Sequence, residues 1–190
     1  MNYFEILNLP VAFDLDLRAL DAAYFKAQRE HHPDRVAGKR AHERQAALQR
    51  SGDINAAYET LKSPLKRAQY LLSLQGITVG TDNDSVRPSP GLLQETLEWR
   101  EKIEESDAEK LTKLDNSLKA MQEKSTVLIA SHYMESRWEM MTQETLRLRY
   151  IMKAREAIVI LRRGKAEDAC PRAMDGDTVR PLRVSQDEGL

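Results

Sequence analysis

Apolar residues recur at helical spacing through most of this chain. Leu17, Leu20, Ala23, Tyr24 and Ala27 fall on one face of a 3.6-residue repeat. That stripe predicts a helix opening after Asp14 or Asp16, either of which can cap free N–H groups. Ahead of it, residues 2–9 form a short apolar-rich element carrying Phe4, Leu7 and Leu9. A third helix is expected over 41–61, with Ala46, Leu48, Ile54, Ala57, Tyr58 and Leu61 available for the core. Gly52 inside it costs about 1 kcal/mol relative to Ala, so a local distortion is expected there. The fourth opens with Ser63 as cap and Pro64 in the first turn. It continues through Leu65, Ala68, Tyr70, Leu71, Leu72 and Leu74 and stops at Gly76.

Periodicity then vanishes. Residues 77–90 are rich in turn formers and read as a linker. Ser89-Pro90 opens the next helix, expected over 92–105, and Ser106-Asp107-Ala108-Glu109 is a capping box that places a new start at 106. The helix that follows carries Leu111, Leu114, Leu118, Met121, Val127 and Leu128. A weakly marked break is expected near 132–136. The last helix bears Trp138, Met141, Leu146, Tyr150, Ile151, Ala154, Ile158 and Leu161 and is expected to end at Gly164. The pattern predicts an all-α protein: four helices over 1–76, a linker over 77–90, and a three-helix bundle over 91–163. Residues 164–190 lack periodicity and are expected to be disordered.

Composition narrows the functional classes. The chain has 190 residues, 31% of them charged, and a net charge of −1. No global basic field exists to hold nucleic acid. Cys170 is the only cysteine, which excludes an internal disulfide framework and a Cys-rich zinc site. No stretch approaches the ~20 apolar residues that span a bilayer, and Met1-Asn2-Tyr3-Phe4-Glu5-Ile6-Leu7 does not resemble a targeting segment. A cytoplasmic monomer without a membrane partner is expected. His31, His32, His42 and His132 lack metal-ligand spacing, and no phosphate loop or nucleophile elbow is present. Neither a cofactor nor an enzymatic activity is therefore expected.

Two sets of residues carry candidate chemistry. The first is His32-Pro33-Asp34, between the second and third helices. Pro33 ends a helix and pushes its predecessor out of the helical region, so His32 and Asp34 are expected in an exposed loop. Lys26 and Arg29 precede the tripeptide and Arg35 follows it, giving the loop a basic edge. The plain alternative is an ordinary helix–loop–helix turn whose His and Asp bond the backbone locally. The second set is Gln94, Glu98, Glu101 and Glu105, which share one helix face, with Leu93 and Leu97 alongside and Arg100 at the border. Two aliphatic residues beside three acids suit a basic, partly apolar partner surface. The plain alternative for both leucines, and for Tyr150 on the last helix, is bundle core.

The loop tripeptide between paired helices resembles the J-domain of DnaJ-class co-chaperones. Three further stretches narrow the resemblance. Ile54-Asn55-Ala56-Ala57-Tyr58-Glu59-Thr60-Leu61 followed by Pro64-Leu65-Lys66-Arg67-Ala68-Gln69-Tyr70-Leu71-Leu72 is similar to the signature of HscB-type iron–sulfur co-chaperones. Tyr3-Phe4 with Leu7-Asn8-Leu9-Pro10 fits the start of that family, and Leu92-Leu93-Gln94-Glu95-Thr96-Leu97-Glu98-Trp99-Arg100-Glu101 resembles the opening of its C-terminal domain. The resemblance covers roughly residues 1–163.

It implies an L-shaped molecule: a J-domain joined to a three-helix C-terminal domain. The J-domain would stimulate the ATPase of an HscA-class chaperone, with His32, Pro33, Asp34, Lys26, Arg29 and Arg35 at the contact. The C-terminal domain would bind the IscU-type scaffold on which iron–sulfur clusters assemble. Scaffold contacts would fall on Leu93, Gln94, Leu97, Glu98, Arg100, Glu101, Glu105 and, in the last helix, Tyr150. Gln94 stands where the family usually has methionine, and Trp99 where it usually has an aliphatic residue. A general DnaJ-type protein serving a DnaK-class chaperone would usually carry a Gly/Phe-rich segment after the J-domain, which is absent. A helical adaptor outside the chaperone system is the remaining alternative.

Overall fold

The computed structural model describes residues 1–31, 40–80 and 86–168. His32, Pro33, Asp34 and Arg35, part of the expected linker, and residues 169–190 with Cys170 lie outside the described residues. Those described form seven helices and no strand: α1 (Tyr3–Ile6), α2 (Leu17–His31), α3 (Ala41–Lys62), α4 (Pro64–Leu74), α5 (Pro90–Glu105), α6 (Ala108–Met134) and α7 (Trp138–Asp168).

Helix starts follow side-chain caps. Asn2 and Glu5 satisfy each other's backbone N–H groups at 2.9 Å each. Asp16, rather than Asp14, sits at the start of α2: its carboxylate accepts from the Arg18 N–H at 2.9 Å. Ser63 and Ser89 cap α4 and α5, each followed by its proline. Helix α6 is capped by Asp107, one residue later than expected, with its carboxylate accepting from the Lys110 N–H at 2.8 Å. That bond holds the Asp107 carboxyl below the usual carboxylate range. Glu109 pairs with Lys113 at 2.7 Å instead of closing a box with Ser106. Helix α3 runs unbroken through Gly52, so the distortion expected there does not occur. Helix α7 likewise passes Gly164 and ends at Asp168.

Three helix ends share one device. Beyond α4, the Ile77 N–H reaches the Leu72 carbonyl and the Gly76 N–H reaches Ser73, with Gly76 at φ 77°. This is the Schellman arrangement. The same paired bonds close α1 with Asn8 at φ 54° and α6 with Ser136 at φ 54°.

Helices α2 and α3 form an antiparallel hairpin, and its register is visible in side-chain bonds. Tyr58 donates to Asp21 at 2.8 Å, Tyr24 donates to Asn55 at 3.0 Å, and Ser51 donates to Gln28 at 3.4 Å. The Tyr24 and Tyr58 rings stack at 4.1 Å. Helix α1 is held to α4 by the Tyr3 N–H donating to the Tyr70 hydroxyl at 2.8 Å, with the two rings stacked at 4.4 Å. Arg67 is buried at 5% exposure. Its guanidinium donates to the Leu61 carbonyl at 2.7 Å and the Phe13 carbonyl at 2.5 Å. It thereby ties the segment before α2 to the α3–α4 corner.

Helix α7 is the common partner of the remaining elements. Helix α6 lies antiparallel to it, with Arg155 bonding Asp115 at 2.8 Å and Gln122 at 2.7 Å, and Arg162 bonding Thr112 at 3.0 Å. Helix α5 runs alongside it, fastened by Arg147 to both carboxylate oxygens of Glu95. Helix α4 packs on α7 as well. The segment after α4 is part of this packing: Val79 is buried, and Gln69 donates to its carbonyl at 3.0 Å.

The buried core includes Phe4, Leu20, Ile54, Leu61, Leu71 and Leu72 on the first four helices, and Trp99, Leu111, Leu118, Met141, Leu148, Ile151 and Ile158 on the last three. Leu17, Leu48, Leu74 and Val127, all expected inside, are exposed. Leu17 and Leu74 are terminal residues of their helices. Leu48 lies in the first half of α3, where almost every side chain faces solvent. Val127 stands two positions from buried Ser125 and two from buried Ile129, which puts it on the opposite side of α6.

Candidate functional site

Helix α5 presents three adjacent rows of side chains. Leu92, Thr96, Trp99 and Ile103 face inward, and all but the half-buried Thr96 are buried. The next row is Leu93, Leu97, Arg100 and Glu104, and the third is Gln94, Glu98, Glu101 and Glu105. Every residue of the second and third rows is exposed. Leu93 is 45% and Leu97 61% exposed, so neither is core. Both aliphatic side chains stand in water beside carboxylates, on a helix that α7 holds from behind. Gln94 donates to Glu98 at 3.4 Å, and Arg100 pairs with Glu104 at 3.0 Å. These exposed pairs add little stability and leave the face adaptable. Tyr150 is half-buried on α7 against the core. Trp99, flagged as a departure at this helix, points into the core and is not part of the exposed face.

The second candidate surface is on α2. Lys26 and Arg29 are exposed. Arg18, Ala22, Phe25 and Arg29 follow one another at helical spacing on the solvent side. Phe25 is an exposed aromatic with its ring 5.5 Å from that of Tyr24. Sequence reasoning passed over it because it lies off the apolar stripe. Its signal was that same misplacement: a large apolar residue on the charged face of an amphipathic helix. His32, Pro33, Asp34 and Arg35 come directly after α2, outside the described residues. Among the described residues, no cluster of three or more His, Cys, Asp or Glu could hold a metal ion, and no helix is long and apolar enough to cross a membrane.

Residues 2–70 match the DnaJ domain, and residues 88–159 match the HSCB C-terminal oligomerisation domain. A co-chaperone protein HscB homolog of Vibrio cholerae is 35% identical over 163 residues, covering 83% of this chain and 95% of that protein. A homolog from Paraburkholderia phymatum is 46% identical over 109 residues, covering 57% of this chain and 62% of that relative, so the match spans less than two-thirds of its length. Among solved structures, the chaperone HscB from Vibrio cholerae superposes with a TM-score of 0.77 at 33% identity, covering 87% of this chain and 99% of that one. The human co-chaperone protein HscB gives a TM-score of 0.80 at 27% identity, over 85% and 82% of the two chains. A J-domain followed by an HscB-specific helical domain, in a fold shared almost end to end with a bacterial HscB, leaves one conclusion: the chain belongs to the HscB family of co-chaperones.

Proposed function

We propose that this chain stimulates the ATPase of an Hsp70-type chaperone of the HscA class and delivers to it an IscU-type iron–sulfur scaffold. Residues 1–76 act as the J-domain. Residues 91–163 carry the scaffold, residues 77–90 join the two, and the setting is the cytoplasm of a bacterium. The observation that carries this reading is the solvent-facing pair Leu93 and Leu97, set beside Glu98, Glu101 and Glu105. A helix already packed on one side has no internal use for two more exposed leucines on an adjacent row. A partner surface that is basic and partly apolar would bury both and meet the acids at its rim. Tyr150, Gln94 and Arg100 complete the contact.

The chaperone contact lies at the other candidate surface. Lys26, Arg29 and Arg35 attract an acidic chaperone surface and set register and association rate. His32 and Asp34 make directional polar contacts there, with Pro33 fixing their backbone. The hydrolytic chemistry belongs to the partner. An iron–sulfur cluster travels on the scaffold as cargo and needs no ligand from this chain. The test is the steady-state ATPase of a purified HscA-class chaperone with scaffold present. His32→Gln should abolish the stimulation while leaving helicity and scaffold affinity at wild-type values. A fully retained stimulated rate would refute the assignment.

A further inference from the structure

The helix row that Leu93 and Leu97 begin runs on, through Arg100 and Glu104, into the wall of a groove. Between α5 and α7 lies an open, strongly apolar channel of about 470 Å3. Thr96, Arg100, Ile103 and Glu104 form its α5 wall. Ala154, Ala157, Ile160 and Leu161, with Lys153, form the opposite wall. Ala154 and Ala157, which carry no side chain beyond Cβ, leave room for the channel in its α7 wall. Its lip carries an exposed aliphatic side chain: Ile160 is 63% exposed.

Helical spacing joins this groove to the proposed docking face. On α5, Arg100 and Glu104 continue the row begun by Leu93 and Leu97. On α7, Ala154, Ala157 and Leu161 continue the row begun by Tyr150. The two helices run side by side in the same direction: Arg147 pairs with Glu95, and further along both helices Ile103 and Glu104 line the groove opposite Ile160 and Leu161. The groove is therefore the floor between the two rows whose first members are the proposed scaffold contacts. An apolar trough on the row begun by Leu93 and Leu97, with Arg100, Glu104 and Lys153 on its walls and the acids Glu98, Glu101 and Glu105 one row further round α5, fits an aliphatic or aromatic side chain of the partner that meets those acids.

We propose that the scaffold-docking surface extends down the α5–α7 groove to Ile160. The groove would receive an apolar side chain of the same scaffold protein that covers Leu93 and Leu97. This inference rests on the scaffold reading of α5.

Calorimetry with a purified IscU-type scaffold tests it, using the full chain. Ala157→Trp fills the trough, and Ile160→Asp puts a charge on its lip. Both positions are exposed, so the fold should hold, which circular dichroism checks, and either variant alone suffices if the other misfolds. Each should weaken scaffold binding about tenfold or more, the scale expected when a buried apolar anchor is lost. A Leu93/Leu97→Ala pair is the control. If that pair weakens binding while the groove variants bind like wild type, the groove plays no part and the inference falls, leaving the docking face intact. If the pair has no effect either, the scaffold reading itself fails. A groove variant that changes the sedimentation of the free protein but not scaffold affinity would assign the trough to a second copy of this chain and overturn the proposal.

Discussion

Arg67 shows how much a single residue can hold in a small helical domain. Its charge is buried, and burial lowers its pKa without a carboxylate in hydrogen-bond contact, although Asp14 opposes the shift from nearby. A guanidinium stays protonated in a protein, so the cost is met by hydrogen bonds. The carbonyls of Phe13 and Leu61 take those bonds, and the Phe13 ring lies 5.6 Å from the guanidinium carbon. Arg67→Met keeps much of the volume but strands two backbone carbonyls. It should lower unfolding free energy by about 2–4 kcal/mol, measured by urea titration. In the sequence Arg67 was visible only as a letter within a family signature. Nothing in its local pattern separates this buried arginine from the chain's other lysines and arginines.

At the scale of helices, starts were easy to read and stops were not. Ser63-Pro64 and Ser89-Pro90 announce α4 and α5 because the cap and the proline act within one turn of sequence. Gly76 announces the end of α4 for the same local reason. The end of α6 was only weakly marked because its left-handed residue is Ser136, where glycine would be the usual signal. A Cβ at φ 54° costs energy that glycine avoids. Ser136→Gly should therefore raise stability by about 0.5–1 kcal/mol, seen as a higher Tm with unchanged helicity. Gly52 and Gly164 mislead in the opposite direction. Each sits inside a helix, and at Gly52 no side chain or other element beyond its immediate neighbours lies within 4 Å of where a Cβ would stand. The α5 face was legible as a periodicity of acids and leucines. Whether Leu93 and Leu97 faced water or core was not, because adjacent rows of one helix look equally apolar until a partner helix chooses between them.

For the whole molecule, the decisive contacts are those that join the first four helices to the last three. The segment after α4 lies close to the chain's second half: a Cβ at Gly80 would overlap the Gln69 amide and come within 3.5 Å of Arg149 on α7. Gly80 also has φ 95°, a conformation that side chains rarely adopt. Tyr133 adds a bond from the end of α6 to the Val11 carbonyl at 3.3 Å. Gly80→Ala should thus cost about 1–3 kcal/mol and lower the calorimetric Tm, and an unchanged Tm would show that the joint has room to spare. None of this was readable beforehand, since turn formers dominate 77–90 and its few apolar residues keep no period.

By itself the amino-acid order determined the helical class, the Ser-Pro helix starts, the pairing of α2 with α3, and the family motifs. Each of these depends on residues within a few turns of one another, where propensity, capping and periodicity act. Tertiary structure alone decided which apolar rows are buried, that Arg67 bridges two backbone carbonyls, and that Ala154 and Ala157 leave a trough beside α5. Those outcomes depend on which helix lies against which, and a repeat of 3.6 residues records that a face is apolar without recording what covers it.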